Sequence, residues 1–204
     1  MRLHYAFVLR LWLTAAAVVM LSACDKMSGD ADVPIDYHDY FDATFTRGAD
    51  GNYEYEGALS MTKEEFDAEV AGNGWKHVIT NEINEKGKIK LTDFYSDKIG
   101  LSASHLYIAT DGELTKFVNQ EAIGLYGHTN CHYSYKDNKI ETETSYIEIL
   151  SIEEEGSMLY VVEKLGSGYS KDGYSDIYGL SIYKKMTDEE LAAYRATYCQ
   201  EIGQ

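Results

Sequence analysis

The residue types best suited to binding a metal lie together in one segment, His128-Thr129-Asn130-Cys131-His132. Imidazole and thiolate groups are common zinc ligands, but structural zinc sites pair these ligands at short, regular spacings. The segment lacks that pairing and is not the Cys-x-x-Cys-His sequence to which haem is attached. If the segment is a strand, Cys131 and His132 point to opposite faces of the sheet. We therefore predict no metal site here.

The acidic residues are numerous but show no catalytic pattern. Glu153–Glu155 form a charge run that we interpret as a solvated turn. Asp36, Asp39 and Asp42 lack the alternating carboxylates and central glycine of a calcium loop. The sequence contains no Gly-x-Ser-x-Gly elbow, phosphate loop, dinucleotide fingerprint or zinc-protease helix. We therefore predict that the protein is not an enzyme and has no cofactor.

The N-terminus carries the one cysteine for which the sequence predicts a covalent modification. Arg2 and Arg10 accompany an almost wholly apolar run over 11–20, and small residues lead into Cys24. Positive charge, an apolar region and a small-residue exit are the parts of a secretory signal peptide. Leu21-Ser22-Ala23-Cys24 resembles the lipobox of bacterial lipoproteins, which signal peptidase II cleaves before the cysteine. The resemblance implies that acyl chains are attached to Cys24.

An uncleaved membrane anchor and an ordinary secretory signal are the alternatives. The apolar run is about half of the roughly 20 residues that a membrane-spanning helix needs, and an ordinary signal needs no cysteine at its exit. We therefore interpret residues 1–23 as a signal peptide and Cys24 as a site of lipidation, with palmitate among the acyl chains. Two chains suffice for stable attachment to a membrane. We predict a cell-envelope protein, on the outer membrane or cell surface rather than the inner membrane.

The chain beyond the signal peptide is strongly acidic. The full sequence of 204 residues has 18 basic and 34 acidic residues. Without the two arginines of the signal peptide, the net charge is −18. Proteins that bind nucleic acid use basic patches to neutralise phosphates. Nucleic acid is therefore excluded as a partner, and the acidity is best interpreted as an aid to solubility.

Residues 24–60 precede the first strong helix signal. Residues 24–35 are polar and contain the only proline of the chain, so we interpret them as a flexible tether behind the lipid. Residues 36–60 then predict a β-hairpin extension. Its arms are Tyr37–Phe45 and Tyr53–Leu59, two aromatic runs that flank a turn-rich segment.

Two short segments predict helices. Thr62-Lys63-Glu64-Glu65 is a capping box, and Phe66 and Val70 follow it on one helical face. Thr187-Asp188-Glu189-Glu190 repeats the device near the C-terminus. It precedes apolar and aromatic residues spaced for one helical face, Leu191, Tyr194 and Tyr198.

Between the helices the apolar pattern changes to a period of two. In the first strand this places Trp75, His77, Ile79, Asn81 and Ile83 on one face. The eight predicted strands are Trp75–Ile83, Ile89–Tyr95, Ser104–Thr110, Glu113–Val118, Asn130–Lys136, Lys139–Ile152, Met158–Leu165 and Asp176–Lys185. Tight turns favour antiparallel pairing, and closing the sheet would remove its exposed edges. We predict a mainly β protein, an antiparallel up-and-down barrel with a short helix before it and a C-terminal helix.

Short motifs over roughly residues 60–198 resemble one family. They are Glu64-Glu65-Phe66, Gly74-Trp75-Lys76, Asp111-Gly112, Val161-Val162-Glu163 and the run from Gly179 to Lys185 before Met186-Thr187. The chain is similar in these motifs to lipocalin-like lipoproteins common in Bacteroidetes. The resemblance implies a lipocalin/calycin-like barrel over residues 61–204, in which Lys184 or Lys185 would cover Trp75.

Two cysteines remain beyond the lipidated one. Cys131 and Cys199 could form a disulfide between the barrel and the C-terminal helix, because the compartment outside the cytoplasm permits disulfides. The sequence does not show that the two thiols lie close together.

A ligand would enter the barrel at a rim where long connections meet. We predict Ser96–Ala103 and Asn119–Thr129 as two such connections, and we expect Tyr107, Tyr126 and His128 to be the aromatic groups nearest the entrance. On this hypothesis the protein binds a small, mainly apolar ligand inside the barrel. The alternative is a non-enzymatic surface or periplasmic interaction module with a filled barrel, which meets another envelope protein.

Overall fold

A computed structural model describes residues 40, 43–95, 103–120, 125–170 and 173–198. Its helices are α1 (Lys63–Glu69) and α2 (Asp188–Tyr198). Its strands are β1 (Thr46–Arg47), β2 (Tyr53–Glu54), β3 (Asn73–Ile83), β4 (Ile89–Asp93), β5 (Ser104–Ile108), β6 (Glu113–Gln120), β7 (Leu125–His132), β8 (Ser134–Lys136), β9 (Lys139–Glu141), β10 (Tyr146–Glu153), β11 (Met158–Ser170) and β12 (Gly173–Lys185). Cys24 and Cys199 lie outside the described residues.

Ten of the strands form one antiparallel sheet. The strand order is β7-β6-β5-β3-β12-β11-β10-β9-β8. The strand β4 lies outside this order and pairs with the same edge of β3 that pairs with β5. The two ends of this order, β7 and β8, are separated in the chain by Tyr133 alone, so the sheet curls into a nearly closed barrel. This confirms the predicted mainly β, antiparallel up-and-down barrel with a helix before it and another at its C-terminus, although the sheet has ten strands rather than the eight predicted.

The alternation predicted for β3 is interrupted by a β-bulge. The register against β12 shifts by one residue between His77 and Ile79. Trp75 belongs to the inner core, whereas beyond the bulge the side chain of Thr80 faces inward and reaches Ser181. An extra residue in a strand reverses its alternation. The prediction that Trp75, His77, Ile79, Asn81 and Ile83 share one face was therefore wrong for the second half of the strand. In that half Ile79, Asn81 and Ile83 face outward.

The strand boundaries differ from those predicted around β6 to β10. The strand β6 continues to Gln120, and β7 begins at Leu125. The long connection predicted over Asn119–Thr129 was therefore wrong. The predicted strand Lys139–Ile152 is divided into β9 and β10, because Thr142 Oγ1 accepts a hydrogen bond from the Ser145 N–H at 2.8 Å and fixes a turn. The strands β11 and β12 also extend beyond their predicted limits at Leu165 and Asp176, to Ser170 and from Gly173.

One end of the barrel is closed by α1. The predicted capping box is confirmed, since the Thr62 hydroxyl accepts from the Glu65 N–H and the Glu65 carboxylate accepts from the Thr62 N–H. Phe66 and Val70 are fully buried. They pack into an apolar core of Met61, Ala71, Trp75, Leu106, Ile108, Leu114, Ile140, Ile147, Ile149, Leu159, Val161 and Tyr183. This half of the barrel is filled by side chains.

Trp75 illustrates how closely this end is packed. Its side chain is fully buried, and the indole N–H donates to the Val70 carbonyl at 3.1 Å, at the end of α1. In the β3–β12 register Lys185 stands opposite Trp75. The indole thus joins the first barrel strand to the helix that closes the barrel.

The outer face of β10–β12 is covered by residues 40 and 43–59, here called the N-terminal cover. Its strands β1 and β2 pair only over two residues each. The rest of the cover bonds to the barrel instead, with the Phe45 N–H donating to Gly87 O at 2.8 Å and the Leu59 N–H to Leu150 O at 2.7 Å. Aromatic rings fill the interface, in pairs such as Tyr53 and Tyr178, whose centroids are 5.4 Å apart.

The second helix packs against the outer face of β5–β7. Its predicted capping box is formed by Thr187 and Glu190, which bond to each other's backbone N–H groups at 3.2 and 2.9 Å. Tyr194 and Tyr198 lie over the ring of Phe117, with centroid distances of 6.0 and 6.1 Å. Within the described part of the chain, no helix is both long and apolar enough to cross a membrane.

Candidate ligand-binding site

The aromatic residues predicted at the barrel entrance lie elsewhere. Tyr107 is on the outer face of β5, where the Arg195 guanidinium of α2 lies 4.0 Å from its ring centroid. His128 is on the outer face of β7, and its Nδ1 lies 2.8 Å from the Tyr198 carbonyl. Tyr126 lies within β7 rather than in a loop. Tyr107 and His128 were therefore wrongly placed, because both side chains lie on the outer face of the sheet, in contact with α2.

Cys131 is a free thiol in the structure, and its candidate disulfide partner, Cys199, lies outside the described residues. The Cys131 side chain packs against the inner core, and its Sγ lies 3.6 Å from the carbonyl oxygen of Leu114 on the adjacent strand. The helix that precedes Cys199 contacts the outer face of the same strand through His128. Strand alternation thus directs the Cys131 thiol away from α2.

The inward-facing residues change character towards the end of the barrel opposite α1. Two residues beyond the core residue Leu114 the inward position is Lys116, paired with Thr129. Opposite the core residue Ile147 stands Glu163. We call the inward-facing polar set the inner cup. It comprises His77, Thr80, Lys116, Thr129, Ser145, Glu163, Ser181 and Tyr183.

The inner cup is open on the side of β6 and β7. Thr129 is exposed although it faces inward, and Lys116 and Ser145 are half-buried. One step closer to α1, the inward-facing Leu114 is fully buried. The exposure of Thr129 shows that solvent reaches the inward face of the sheet beside β7.

The closed side of the cup holds two hydrogen-bonded groups. Thr80 Oγ1 lies 2.8 Å from His77 Nε2 and 2.6 Å from Ser181 Oγ. The Tyr183 hydroxyl donates to Glu163 Oε1 at 2.7 Å. On the open side, Lys116 Nζ donates to Ser145 Oγ at 2.6 Å. Buried polar groups of this kind are stable only when they are paired.

Burial controls the protonation of the cup. It lowers the pKa of His77 to about 4, against an opposing effect of the Asp93 carboxylate, so the imidazole is neutral at pH 7. Burial also raises the pKa of Tyr183 well above its usual range, and the charge of Glu163 adds to the shift. The cup therefore presents a neutral imidazole and neutral hydroxyls.

This arrangement is suited to binding rather than to covalent catalysis. A hydroxyl beside a neutral imidazole can be a nucleophile and its base. Thr80 and Ser181 are both fully buried, however, and their hydroxyls are hydrogen-bonded to each other. Within the described residues no three His, Cys, Asp or Glu side chains gather as metal ligands.

A separate cavity of about 640 Å³, here called the rim cleft, lies at the same end of the barrel. It is bounded by the turn after β3, the β11–β12 hairpin and the N-terminal cover. Its apolar surface comes from Tyr53, Ile83, Phe94 and Ile177. Two of its acidic groups are ion-paired: Glu82 with Lys90 at 2.5 Å and Asp176 with Lys164 at 2.8 Å.

The chain matches no protein-family model, and no curated protein is significantly similar to it. Among solved structures it is similar to bovine odorant-binding protein complexed with its natural ligand, at 13% identity and a TM-score of 0.35, over 70% of this chain and 85% of that one. The complex of the bovine protein with undecanal gives 14% identity and a TM-score of 0.36, over 69% and 84%. Scores this low establish no function, and the fold class rests on the strand order.

The sequence contained an indication that Glu163 belongs to a functional site. Leu159 and Val161 are apolar and face inward, and Glu163 continues the same alternation along β11. A carboxylate at an inward position of a long apolar strand is unusual, since charged groups are rarely buried without a partner. His77 gave no comparable signal, because its environment depends on the bulge in β3.

Proposed function

We propose that this protein is a lipid-anchored component of the bacterial cell envelope that binds a small molecule in the inner cup. The observation that carries the proposal is the change along the barrel interior. The half near α1 is apolar and filled, whereas the opposite half is polar and remains open beside Thr129 and Lys116. A barrel that served only as a scaffold would gain stability from apolar side chains at these positions.

The lining of the cup defines the ligand more closely than the sequence did. A mainly apolar molecule that displaces water would leave the charged groups of Lys116 and Glu163 with only the hydroxyls of Ser145 and Tyr183 as polar partners. We therefore propose a ligand that combines an apolar part with hydrogen-bonding groups. Its size is limited, because small β-barrels that are not wholly filled by side chains hold about one small ligand.

The envelope location rests on the signal peptide and lipobox of the sequence. Cys24 and Tyr40, the first described residue, are 16 positions apart. A chain of that length spans at most about 55 Å when fully extended. Because the N-terminal cover is bonded to the barrel, the barrel would be held within that distance of the lipid surface.

A thermal-shift panel on the mature chain tests ligand binding. The panel should include fatty acids, bile acids, aromatic amines, haem and short glycans. A ligand present at 100 times its Kd stabilises the folded state by about 2.7 kcal/mol, which is a shift of several degrees in Tm. No shift with any compound would contradict the proposal.

The second candidate function is the interaction module with a filled barrel. The packed core around Phe66 and Trp75 favours it, because this half of the interior has no room for a ligand. A panel without any thermal shift, together with specific capture of one envelope protein by the purified mature chain, would establish this function instead.

A further inference from the structure

The inner cup contains a buried carboxylate, Glu163, for which the described residues provide no ion-pair partner. Glu163 is only 7% exposed, and its hydrogen bond comes from the neutral Tyr183 hydroxyl. Among the described side chains, no lysine, arginine or histidine forms an ion pair with it. Lys116, the one cation of the cup, is hydrogen-bonded to Ser145. Burial of an uncompensated carboxylate is costly, so the site favours a positive charge from outside the chain.

Three aromatic rings are linked to this carboxylate through Tyr183, whose hydroxyl donates to it. The His77 ring contacts both Tyr95 and Tyr183 in edge-to-face pairs, with 5.5 and 5.6 Å between centroids. Burial raises the pKa of Tyr95, and the charge of Glu163 adds to the shift. The face of a phenol ring is electronegative and attracts organic cations.

We infer that the inner cup recognises its ligand through a cationic amino group, which pairs with Glu163 and lies against the rings of Tyr95 and Tyr183. The inference rests on the proposed ligand-binding function and names the chemical class of the ligand. A single carboxylate surrounded by phenols suits an ammonium group, which needs few ligands. A metal ion would need several more oxygen or nitrogen donors than the cup offers.

Two further features fit an amine. The neutral imidazole of His77 neither neutralises Glu163 nor repels a cation, because burial keeps its pKa at about 4. Lys116 stands on the open side of the cup, beside the exposed Thr129. An amine that also carries a hydroxyl or carboxylate could therefore place its ammonium at Glu163 and its second group near Lys116.

The test compares matched pairs of ligands by calorimetry on the mature, lipidated chain in mild detergent, with a detergent blank. The pairs are 2-phenylethylamine with 2-phenylethanol, and tryptamine with the corresponding indole alcohol. We expect each amine to bind at least about tenfold more tightly than its alcohol, as one desolvated charge contact provides. The Glu163→Gln variant should abolish this preference, while Glu141→Gln, on an exposed outward position of β9, should retain it.

A second variant covers the case in which Glu163→Gln fails to fold. Tyr95→Leu removes one ring at a half-buried position, and it should weaken amine binding several-fold with little effect on the alcohols.

Equal binding of amines and alcohols by the wild-type chain would overturn the inference and leave the proposed function standing. A preference for amines that survives in Glu163→Gln would overturn the role of Glu163. Failure of every amine to bind would also overturn the inference, whereas the thermal-shift panel decides the proposed function separately.

Discussion

The Tyr183 hydroxyl lies 2.7 Å from Glu163 Oε1 across the β11–β12 pair, and both side chains are more than nine-tenths buried. The contact stands where the interior changes from the filled apolar core near α1 to the polar inner cup. Tyr183 itself belongs to both, since its ring packs in the core and its hydroxyl faces the carboxylate. This hydrogen bond therefore ties the stability of the barrel to the polarity of the cup.

Removing that hydroxyl should destabilise the protein. In Tyr183→Phe the buried carboxylate loses its hydrogen-bond donor, which should lower the free energy of unfolding by about 1–3 kcal/mol. Urea denaturation of the mature chain measures the change. Tyr174→Phe is the matched control, because the Tyr174 side chain is 66% exposed and should give a change near zero. Equal stability of the two variants would show that the contact contributes nothing.

The attachment of the N-terminal cover depends on a glycine. Gly87 has a φ of +70°, and a Cβ at this position would lie 1.9 Å from the Phe45 carbonyl oxygen. Gly87→Ala should therefore separate the cover from the barrel, with a loss of more than about 2 kcal/mol and faster proteolysis within residues 43–59.

A second glycine serves as a control, because a substitution there causes backbone strain without a steric clash. Gly156 has a φ of +87° but open space around the position of a Cβ. Gly156→Ala should cost only the left-handed backbone penalty of about 1–2 kcal/mol and leave the cover protected. Equal proteolysis of the two variants would argue against the contact between Gly87 and Phe45.

The cover should also bind the barrel in a pH-dependent way. Burial raises the pKa of Glu148 to about 7, while Lys139 opposes the shift and Glu54 and Asp50 add to it. A raised pKa in the folded state means that Glu148 contributes stability below its ordinary pKa of 4.5, and that this contribution is lost as the pH rises through about 7. One Glu148 carboxylate oxygen has no hydrogen-bond partner, which agrees with a protonated group.

We expect the wild-type chain to lose about 1–2 kcal/mol relative to Glu148→Gln between pH 5 and pH 8. Urea denaturation across this pH range measures the difference. Glu143→Gln, at an exposed position in the β9–β10 turn, should follow the wild-type profile. Parallel profiles of the wild-type chain and Glu148→Gln would disprove the assignment to Glu148.

The lipid anchor is tested by Cys24→Ser. The lipobox predicts that this change removes the acylated residue, so metabolic palmitate labelling should disappear and the protein should leave the membrane fraction or remain unprocessed. Detergent partitioning checks the second outcome. Labelling that is unchanged in the variant would rule out Cys24 as the acylated residue.

The features that the sequence predicted well are local. The capping boxes at Thr62 and Thr187 are each formed by residues three positions apart, so their pattern is sufficient to predict two helix starts. Period-two alternation between the helices likewise predicted an antiparallel barrel, because each strand carries its own apolar face.

The features that the sequence missed depend on partners distant in the chain. The bulge in β3 exists only in its register with β12, and it decides that Thr80 faces inward and Ile83 outward. The placement of Tyr107 and His128 depends on where α2 packs. The position of the candidate site changed for the same reason, since the side chains of the inner cup come from five strands and one turn whose registers no local pattern specifies.

The most direct test of the account is to block the inner cup by a single substitution. Thr129→Trp adds a large side chain at an exposed, inward-facing position of β7, and His132→Trp adds the same side chain at an exposed position that faces outward. Calorimetric titration of both variants and the wild-type chain should use the compound that gives the largest thermal shift. The account predicts that Thr129→Trp weakens binding at least about tenfold, or about 1.4 kcal/mol, while His132→Trp binds as the wild type does. Unchanged affinity in a folded Thr129→Trp variant would contradict binding in the inner cup.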